Sequence, residues 1–363
     1  MMKTLGISIY PGNGALDKIK EYINKAAKYG FKRIFTCLIS HEDKSIDEII
    51  NEFKEITYFA NKLDMMVIAD VEPQVFKKLG ITYKDLSFFK EIGLHGIRLD
   101  IGFTGLEESI MSYNDNEFKI EFNMSNGTKF IDNIISYKAN PENLLGCHNF
   151  YPHRYTGLSY DHFIKCSKEF KNLGIRSAAF INSNSAKFGP WPVSEGVCTL
   201  ESHRELPIDI QCKHLFATGL IDDVIIANMF ASEEELSSLS KINKDILELK
   251  VNLVKDIPKL EKKIVLEEFH FNRGDVSEYM IRSTQSRVKY KGHDFPVFNT
   301  REIKRGDILI ESNLYSRYAG ELQIALKDMD NSGKTNVVGK IDDNELFLLD
   351  YLEPWSKFKL KEY

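Results

Sequence analysis

Apolar residues come in short runs along the first two-thirds of the chain, and the runs alternate with longer amphipathic stretches. "LGISIYP" at 5–11 reads as a buried strand, and "GALDKIKEYINKAAKYG" after it as an amphipathic helix closed by Gly30. "FKRIFTCLIS" is a second strand, and its helix opens with a capping box, Ser45 with Glu48. "MMVIADVEP" and "GIRLDIG" supply strands three and four, and "KIEFNMS" and "NLLGCHNFYP" strands five and six, with a helix around "KFIDNIISYKA" between the last two. "SYDHFIKCSKEFKNLG" is a helix, "IRSAAFIN" strand seven, and "DVIIANM" strand eight. A last helix starts at Ser232 with Glu235 as a second capping box. Eight strand–helix units over residues 1–240 predict a (β/α)₈ barrel, the TIM-barrel form of an α/β protein. An open doubly wound sheet would show a Gly-rich first turn, and "YPGNGALD" is not one.

The rhythm changes after residue 240. "ILELKVNLV", "KIVLEEFHF", "RSTQSRVKY", "GDILIESNLY", "ELQIALKDM", "TNVVGKI" and "ELFLLDYLEP" are short, often alternating segments divided by Gly, Asp and Asn. They predict a small all-β domain, barrel or sandwich, over residues 241–363. No low-complexity linker separates it from the barrel.

The strand parity matters most at the strand ends, where barrels of this kind carry their active sites. Side chains alternate along a strand, so Asp70 and Glu72 share a face with Met66 and Ile68. The same parity puts Arg98 with Asp100 in strand four, Glu121 with Asn123 in strand five, and Ser8 with Tyr10 in strand one. A barrel interior is ordinarily filled by branched aliphatics, so this polar set needs a cause. Neighbouring strands lie ~4.8 Å apart, which would place Asp70, Glu72 and Asp100 at the roughly 5–9 Å spacings that glycosidases use. A salt-bridge network of Arg98 with Glu121 and Asp70 is the structural alternative. Strand six ends in "CHNFYPHRYTGL", which crowds His148, Asn149, Tyr151, His153, Arg154 and Tyr155 together as groups suited to a sugar and an anion. Asn182, Ser183, Asn184 and Trp191 follow strand seven, and Asn228 ends strand eight.

Composition narrows the reading. A 43% apolar and 28% charged chain is that of a globular protein, and a formal charge of -5 gives no general attraction for nucleic acid or anionic lipid. No long uncharged apolar run could span a membrane, and the first strand begins too early to leave room for a signal peptide. Cys37, Cys147, Cys166, Cys198 and Cys212 are scattered, without Cys-x-x-Cys spacing, which argues against a disulfide framework or zinc site and for the cytoplasm. The absence of H-x-H and H-E-x-x-H patterns leaves no metal or other cofactor expected.

"GISIYP", "ADVEP", "GIRLDIG", "HNFYPHRYTGL" and "IANMFAS", followed by "MIRST" and "RGDILIESNLYSRYAGELQI", together resemble the bacterial 6-phospho-N-acetylmuramidases over essentially the whole chain. The resemblance implies a TIM barrel followed by a cyclophilin-like β domain. It also implies release of N-acetylmuramic acid 6-phosphate from the non-reducing end of its disaccharide with N-acetylglucosamine, in cytoplasmic peptidoglycan recycling. The partner is then a small phosphorylated amino-sugar disaccharide, with neither nucleic acid nor membrane, and a homodimer is compatible with it. At "SHEDKS" the chain departs from the family's more apolar turn, so no role is carried to His41 or Glu42.

The resemblance supplies no catalytic residues, so these come from the barrel geometry. Asp70, Glu72 and Asp100 are the expected catalytic groups, with Glu72 as general acid and Asp70 orienting the substrate's acetamido group. Tyr10, Arg98, Asn123, His148, Asn149, Tyr151, Arg154, Asn182 and Asn228 are expected to bind substrate, joined by Arg282 and Arg301 from the β domain at its anionic end. Two other readings compete: a sugar-phosphate isomerase or aldolase of the same barrel type, and a non-enzymatic carbohydrate-binding protein. The first lacks a strand-end lysine with inward parity, and the second does not explain the acidic floor.

Overall fold

The computed structural model describes residues 2–38, 46–71, 73–114, 117–190, 193 and 195–362, and divides into two compact units, Met1–Ile242 and Asn243–Tyr363. In the first, eight parallel strands close on themselves: β1 (Thr4–Ile9), β2 (Arg33–Cys37), β3 (Met66–Asp70), β4 (Gly96–Leu99), β5 (Lys119–Asn123), β6 (Leu144–Cys147), β7 (Arg176–Ile181) and β8 (Asp223–Ile226). β1 pairs with both β2 and β8, which shuts the barrel, so it is the (β/α)₈ form expected. Near-continuous burial of every strand follows, because helices cover the outside and side chains fill the inside. Gly96 matters to that closure: a Cβ there would lie 2.6 Å from the Lys119 carbonyl oxygen, so only glycine lets β4 approach β5.

The helices follow local rules. Ile46–Lys62 and Tyr160–Asn172 present apolar stripes to the barrel. Glu233–Ser240 starts with the expected capping box: Ser232 Oγ accepts from Glu235 N at 3.2 Å, and Glu235 Oε2 accepts from Ser232 N at 3.0 Å. The box expected at Ser45 lies outside the described residues. Short helices not foreseen from the pattern, Pro73–Leu79, Ser87–Glu91 and Leu106–Met111, occupy the connections after β3 and β4.

The second unit is mostly sheet and nearly closed. Its strands are β9 (Leu247–Leu253), β10 (His270–Phe271), β11 (Met280–Ser283), β12 (Asp307–Glu311), β13 (Leu322–Ala325), β14 (Thr335–Ile341) and β15 (Lys357–Glu362), in the order β10-β15-β9-β14-β12-β13-β11. A backbone bond from Arg273 N to the Arg282 carbonyl, 3.1 Å, ties the chain after β10 to β11. Three segments expected as strands are wholly or partly helical: "RSTQSRVKY" keeps only Arg282 and Ser283 in β11 and enters helix Gln285–Lys289. Residues of "KIVLEEFHF" fall in helix Lys259–Glu267, which buries Glu261, Ile264 and Val265, and "ELFLLDYLEP" lies largely in a 3₁₀ segment, Asp343–Tyr351. Both are apolar runs too short for their period to separate helix from strand. β15, in "KFKLKE", was missed because lysines occupy its outward positions.

Candidate functional site

Two buried arginines organise the barrel interior. Arg33, at the start of β2, donates to Glu121 on β5 and, at 2.7 Å, to Asp223 on β8. Strands β2, β5 and β8 are not neighbours in an eight-strand barrel, so these bonds run through its interior. Arg176 Nε adds a further bond to Asp223 at 2.9 Å. Burial alone would push the Asp223 carboxyl up, but the Arg33 and Arg176 guanidiniums outweigh it and hold it below the ordinary value. Beside this cluster, Phe35 and Phe180 meet edge-on at 5.0 Å, with Phe150 at 5.1 Å from Phe180. The expected pairing of Arg98 with Glu121 is thereby corrected: Glu121 is bonded to Arg33, which the sequence reading did not single out.

Arg98 serves the strand ends instead. Its Nη1 donates to Asp70 Oδ2 at 3.1 Å, and its Nη2 to Asp100 Oδ1 at 3.2 Å and to Asn149 Oδ1. One guanidinium thus joins the ends of β3, β4 and β6. Arg98 is buried, while the Asp70 and Asp100 side chains keep 26% and 41% exposure, so the carboxylates form the wet face of the cluster. Asn123 Nδ2 gives Asp100 Oδ1 a second donor at 2.9 Å, and Asn123 Oδ1 accepts from Ser125 N at 2.8 Å. Asp70 Oδ1 is buried without a hydrogen bond. Burial raises the Asp70 carboxyl, Arg98 opposes the rise, and the Asp100 charge adds to it. A carboxyl with an unsatisfied oxygen and a raised pKa, beside a second carboxylate, is the arrangement from which acid–base catalysis is built. Glu72 lies outside the described residues, as do Trp191, His41 and Glu42.

The strand-six cluster divides into a surface and its support. His148 is fully buried, with Nε2 2.9 Å from Ser167 Oγ, Nδ1 3.1 Å from Ser125 Oγ, and its ring 4.7 Å from Phe163. Ser167 donates its own proton to the Phe163 carbonyl at 2.7 Å, so it accepts from His148 Nε2–H. Burial pushes the imidazole down to about 3, so it is neutral, and its Nδ1 accepts the Ser125 proton. The Ser125 oxygen then accepts from Asn149 N at 2.8 Å. His148, expected at the sugar, is thus enclosed and engaged within the protein: it fixes Ser125, which fixes the Asn149 backbone.

Four further residues expected to bind substrate are engaged within the protein. Tyr10 is buried and donates to the Ala227 carbonyl at 2.6 Å. Asn182 accepts from Val197 N at 2.8 Å and donates to Asn184 Oδ1 at 2.9 Å. Asn228 accepts from Ser183 N at 2.8 Å and donates to the Ser183 and Ala186 carbonyls at 2.7 and 3.0 Å. In the same loop Asn184 N donates to Glu235 Oε1 at 2.9 Å, so one of the chain's own carboxylates holds the loop backbone. In the second unit Arg301 forms a two-pronged pair with Asp307 at 2.7 and 2.8 Å, which engages its fork. Arg154 pairs with exposed Glu205 at 2.7 Å, a surface contact easily exchanged.

Arg204 is the loop residue the sequence reading missed. Buried, it donates to the carbonyls of Tyr151, His153, Glu195 and Gly196 and pairs with Glu201. Its hydrogen bond, with two backbone N–H donors, holds Glu201 down at about 2. No local pattern could have signalled contacts of this range. Among the described residues no helix is long and apolar enough to cross a membrane.

Comparison with known proteins agrees over both units. Residues 5–241 match the model of the 6-phospho-N-acetylmuramidase N-terminal domain, and residues 247–361 that of its C-terminal domain. No curated protein matches the chain. Among solved structures, an uncharacterized Bacillus cereus protein is 51% identical, with all of both chains covered and a TM-score of 0.93. A conserved Enterococcus faecalis protein of unknown function is 24% identical over 99% of this chain and 96% of its own, with a TM-score of 0.71. The chain belongs to the 6-phospho-N-acetylmuramidase family, and is a glycosidase.

Proposed function

We propose that the barrel hydrolyses the bond by which N-acetylmuramic acid 6-phosphate, at the non-reducing end, is joined to N-acetylglucosamine, as a cytoplasmic step of peptidoglycan recycling. The observation that carries this reading is the Arg98 guanidinium holding Asp70 and Asp100 together at the barrel's strand ends. The family name supports the phosphorylated muramyl substrate.

In this reading Glu72 protonates the leaving glycosidic oxygen as the substrate's own acetamido oxygen attacks the anomeric carbon. Asp70 accepts the acetamido N–H and steadies the charge that develops on that group. Asp100, with Asn123, faces the anomeric centre, and Asn149 and Tyr151 hold the sugar. Water then adds to the anomeric carbon, Glu72 takes its proton, and the acetamido group is released; water is the only reagent consumed. Two attacks at one carbon retain its configuration.

The test is turnover of the phosphorylated disaccharide, with the first-formed anomer followed by NMR. Release of the two sugars with retention is expected. An inverted product would overturn the acetamido route, and no turnover would overturn the substrate assignment.

A further inference from the structure

In the second unit, β11, β12 and β13 turn Ile281, Leu322, Ile324, Ile308 and Ile310 into the core. Their alternate residues lie on the opposite face, where Arg282 is paired in register with Gln323. One end of that face is charged. Glu321, fully buried, accepts from Arg282 Nε at 2.9 Å and from Gln323 Nε2 at 3.3 Å. Arg287, on helix Gln285–Lys289, brings Nη1 to 3.1 Å from Glu321 Oε2 without hydrogen-bond alignment. Both guanidiniums lie over the Tyr318 ring, at 5.8 Å for Arg282 and 5.0 Å for Arg287.

A structural ion pair does not account for this arrangement. One carboxylate holds two guanidiniums side by side, leaving a net positive charge. Each arginine turns only one edge to Glu321 and keeps about a fifth of its side chain exposed, at 22% and 23%. Three buried polar atoms are also unsatisfied: Arg287 Nη1, Glu321 Oε2 and Gln323 Oε1, the last on a side chain 4% exposed. The first needs an acceptor and the other two need donors. A bare anion answers only the first. A group carrying both an anion and a hydroxyl answers the first and, through its one proton, Gln323 Oε1. Glu311, buried beside Glu321, is pushed up to about 7 by its burial, so it adds less repulsion than a full carboxylate would. Arg301 makes the contrast: its fork is closed on Asp307.

We infer that this end of the sheet face binds a sugar phosphate, with Arg282 and Arg287 gripping the phosphate monoester and Gln323 accepting from a neighbouring hydroxyl. The choice of a sugar as the hydroxyl carrier rests on the function proposed above.

The test is binding rather than turnover. Calorimetry on the full chain would compare N-acetylglucosamine 6-phosphate, N-acetylglucosamine and inorganic phosphate, for the wild type and for Arg282→Ala, Arg287→Gln and Gln323→Leu. The phosphorylated sugar should bind most tightly. Each arginine variant should weaken it ~10–100-fold, the range of one charge-assisted contact, and leave the unphosphorylated sugar unchanged. Gln323→Leu should narrow the advantage of the sugar phosphate over inorganic phosphate. Should Arg282→Ala fail to fold, Arg287→Gln decides, because Arg282 still neutralises Glu321. Unchanged affinity in folded Arg287→Gln, equal losses for both sugars, or no binding by wild type overturns the site, whatever the enzyme hydrolyses. Binding lost in Arg287→Gln sustains it even if the disaccharide is never turned over.

Discussion

Arg33 and Arg98 are both buried arginines on barrel strands, and each holds two carboxylates, yet their surroundings differ in charge balance and in contact with water. Around Arg33, two arginines face two carboxylates, Glu121 and Asp223, and all but Arg176 are closed from solvent. Around Arg98 a single guanidinium faces Asp70 and Asp100, both of which reach solvent. Balanced charges in a closed space give a brace whose value is structural. At the open strand end the carboxylates outnumber the guanidinium, and burial together with the Asp100 charge raises the Asp70 carboxyl. Inward-facing charge alone therefore does not mark a site; the charge left over does.

The comparison breaks most clearly in catalysis. Glu72→Gln, which removes the group that transfers the proton, should lower kcat by roughly 10²–10⁴-fold, and Asp70→Asn and Asp100→Asn should each lower kcat, with the melting temperature nearly held. Near-normal kcat in all three would dismiss the strand-end carboxylates as chemistry. The reverse pattern belongs to the brace. Arg33→Met leaves Glu121 without its hydrogen-bonded cation, and should cost ~3–5 kcal/mol in denaturant unfolding.

The support beneath the mouth sharpens the contrast. His148→Phe keeps the ring against Phe163 but leaves the Ser125 proton without its acceptor, for ~1–3 kcal/mol of stability. Asn149→Ala should instead raise KM or lower kcat while leaving stability nearly unchanged. A large stability loss with normal kinetics would make Asn149 part of the scaffold.

Protonation separates the two units. The folded-state pKa of His148 is depressed from 6.5 to about 3, so the fold favours the neutral ring. That contribution is complete above about 6.5 and is lost as pH falls towards 3, by a few kcal/mol at most for this group (~1.4 kcal/mol per unit). Glu261 in the sheet unit has the opposite sign: burial raises it from 4.5 to about 7, so its contribution is complete below 4.5 and is lost as pH rises through 7. Chemical denaturation at pH 5 and 8 should show a smaller difference in Glu261→Gln than in wild type. An identical difference would mean that Glu261 does not titrate in this range.

The barrel and the strand-end carboxylates Asp70 and Asp100 were legible in the sequence because both depend on short-range rules. Strand length, helix period and alternation fix which residues share a face. The partners of those residues were not legible. Arg33 meets Asp223 across 190 positions of chain and Arg204 reaches Tyr151 across 53, and neither separation leaves a local pattern. The same limit explains His148, Asn182 and Asn228: a polar residue at a strand end looks alike whether it faces a ligand or its own loop. In the second unit, "KIVLEEFHF" satisfied a strand's composition and folded partly as a helix because its apolar residues had a core to fill.

The charge imbalance at Arg98 also acts before any bond is broken. A ligand of the proposed kind carries a phosphate and a lactyl carboxylate, and the pair of aspartates repels both. Its anomeric carbon, where positive charge develops as the bond breaks, is the part they attract. The mouth would then work as a compass needle works, turning the approaching sugar so that its anionic end trails and its reactive end leads. Such orientation acts through the field and weakens as salt shortens its reach, to about 8 Å at physiological ionic strength.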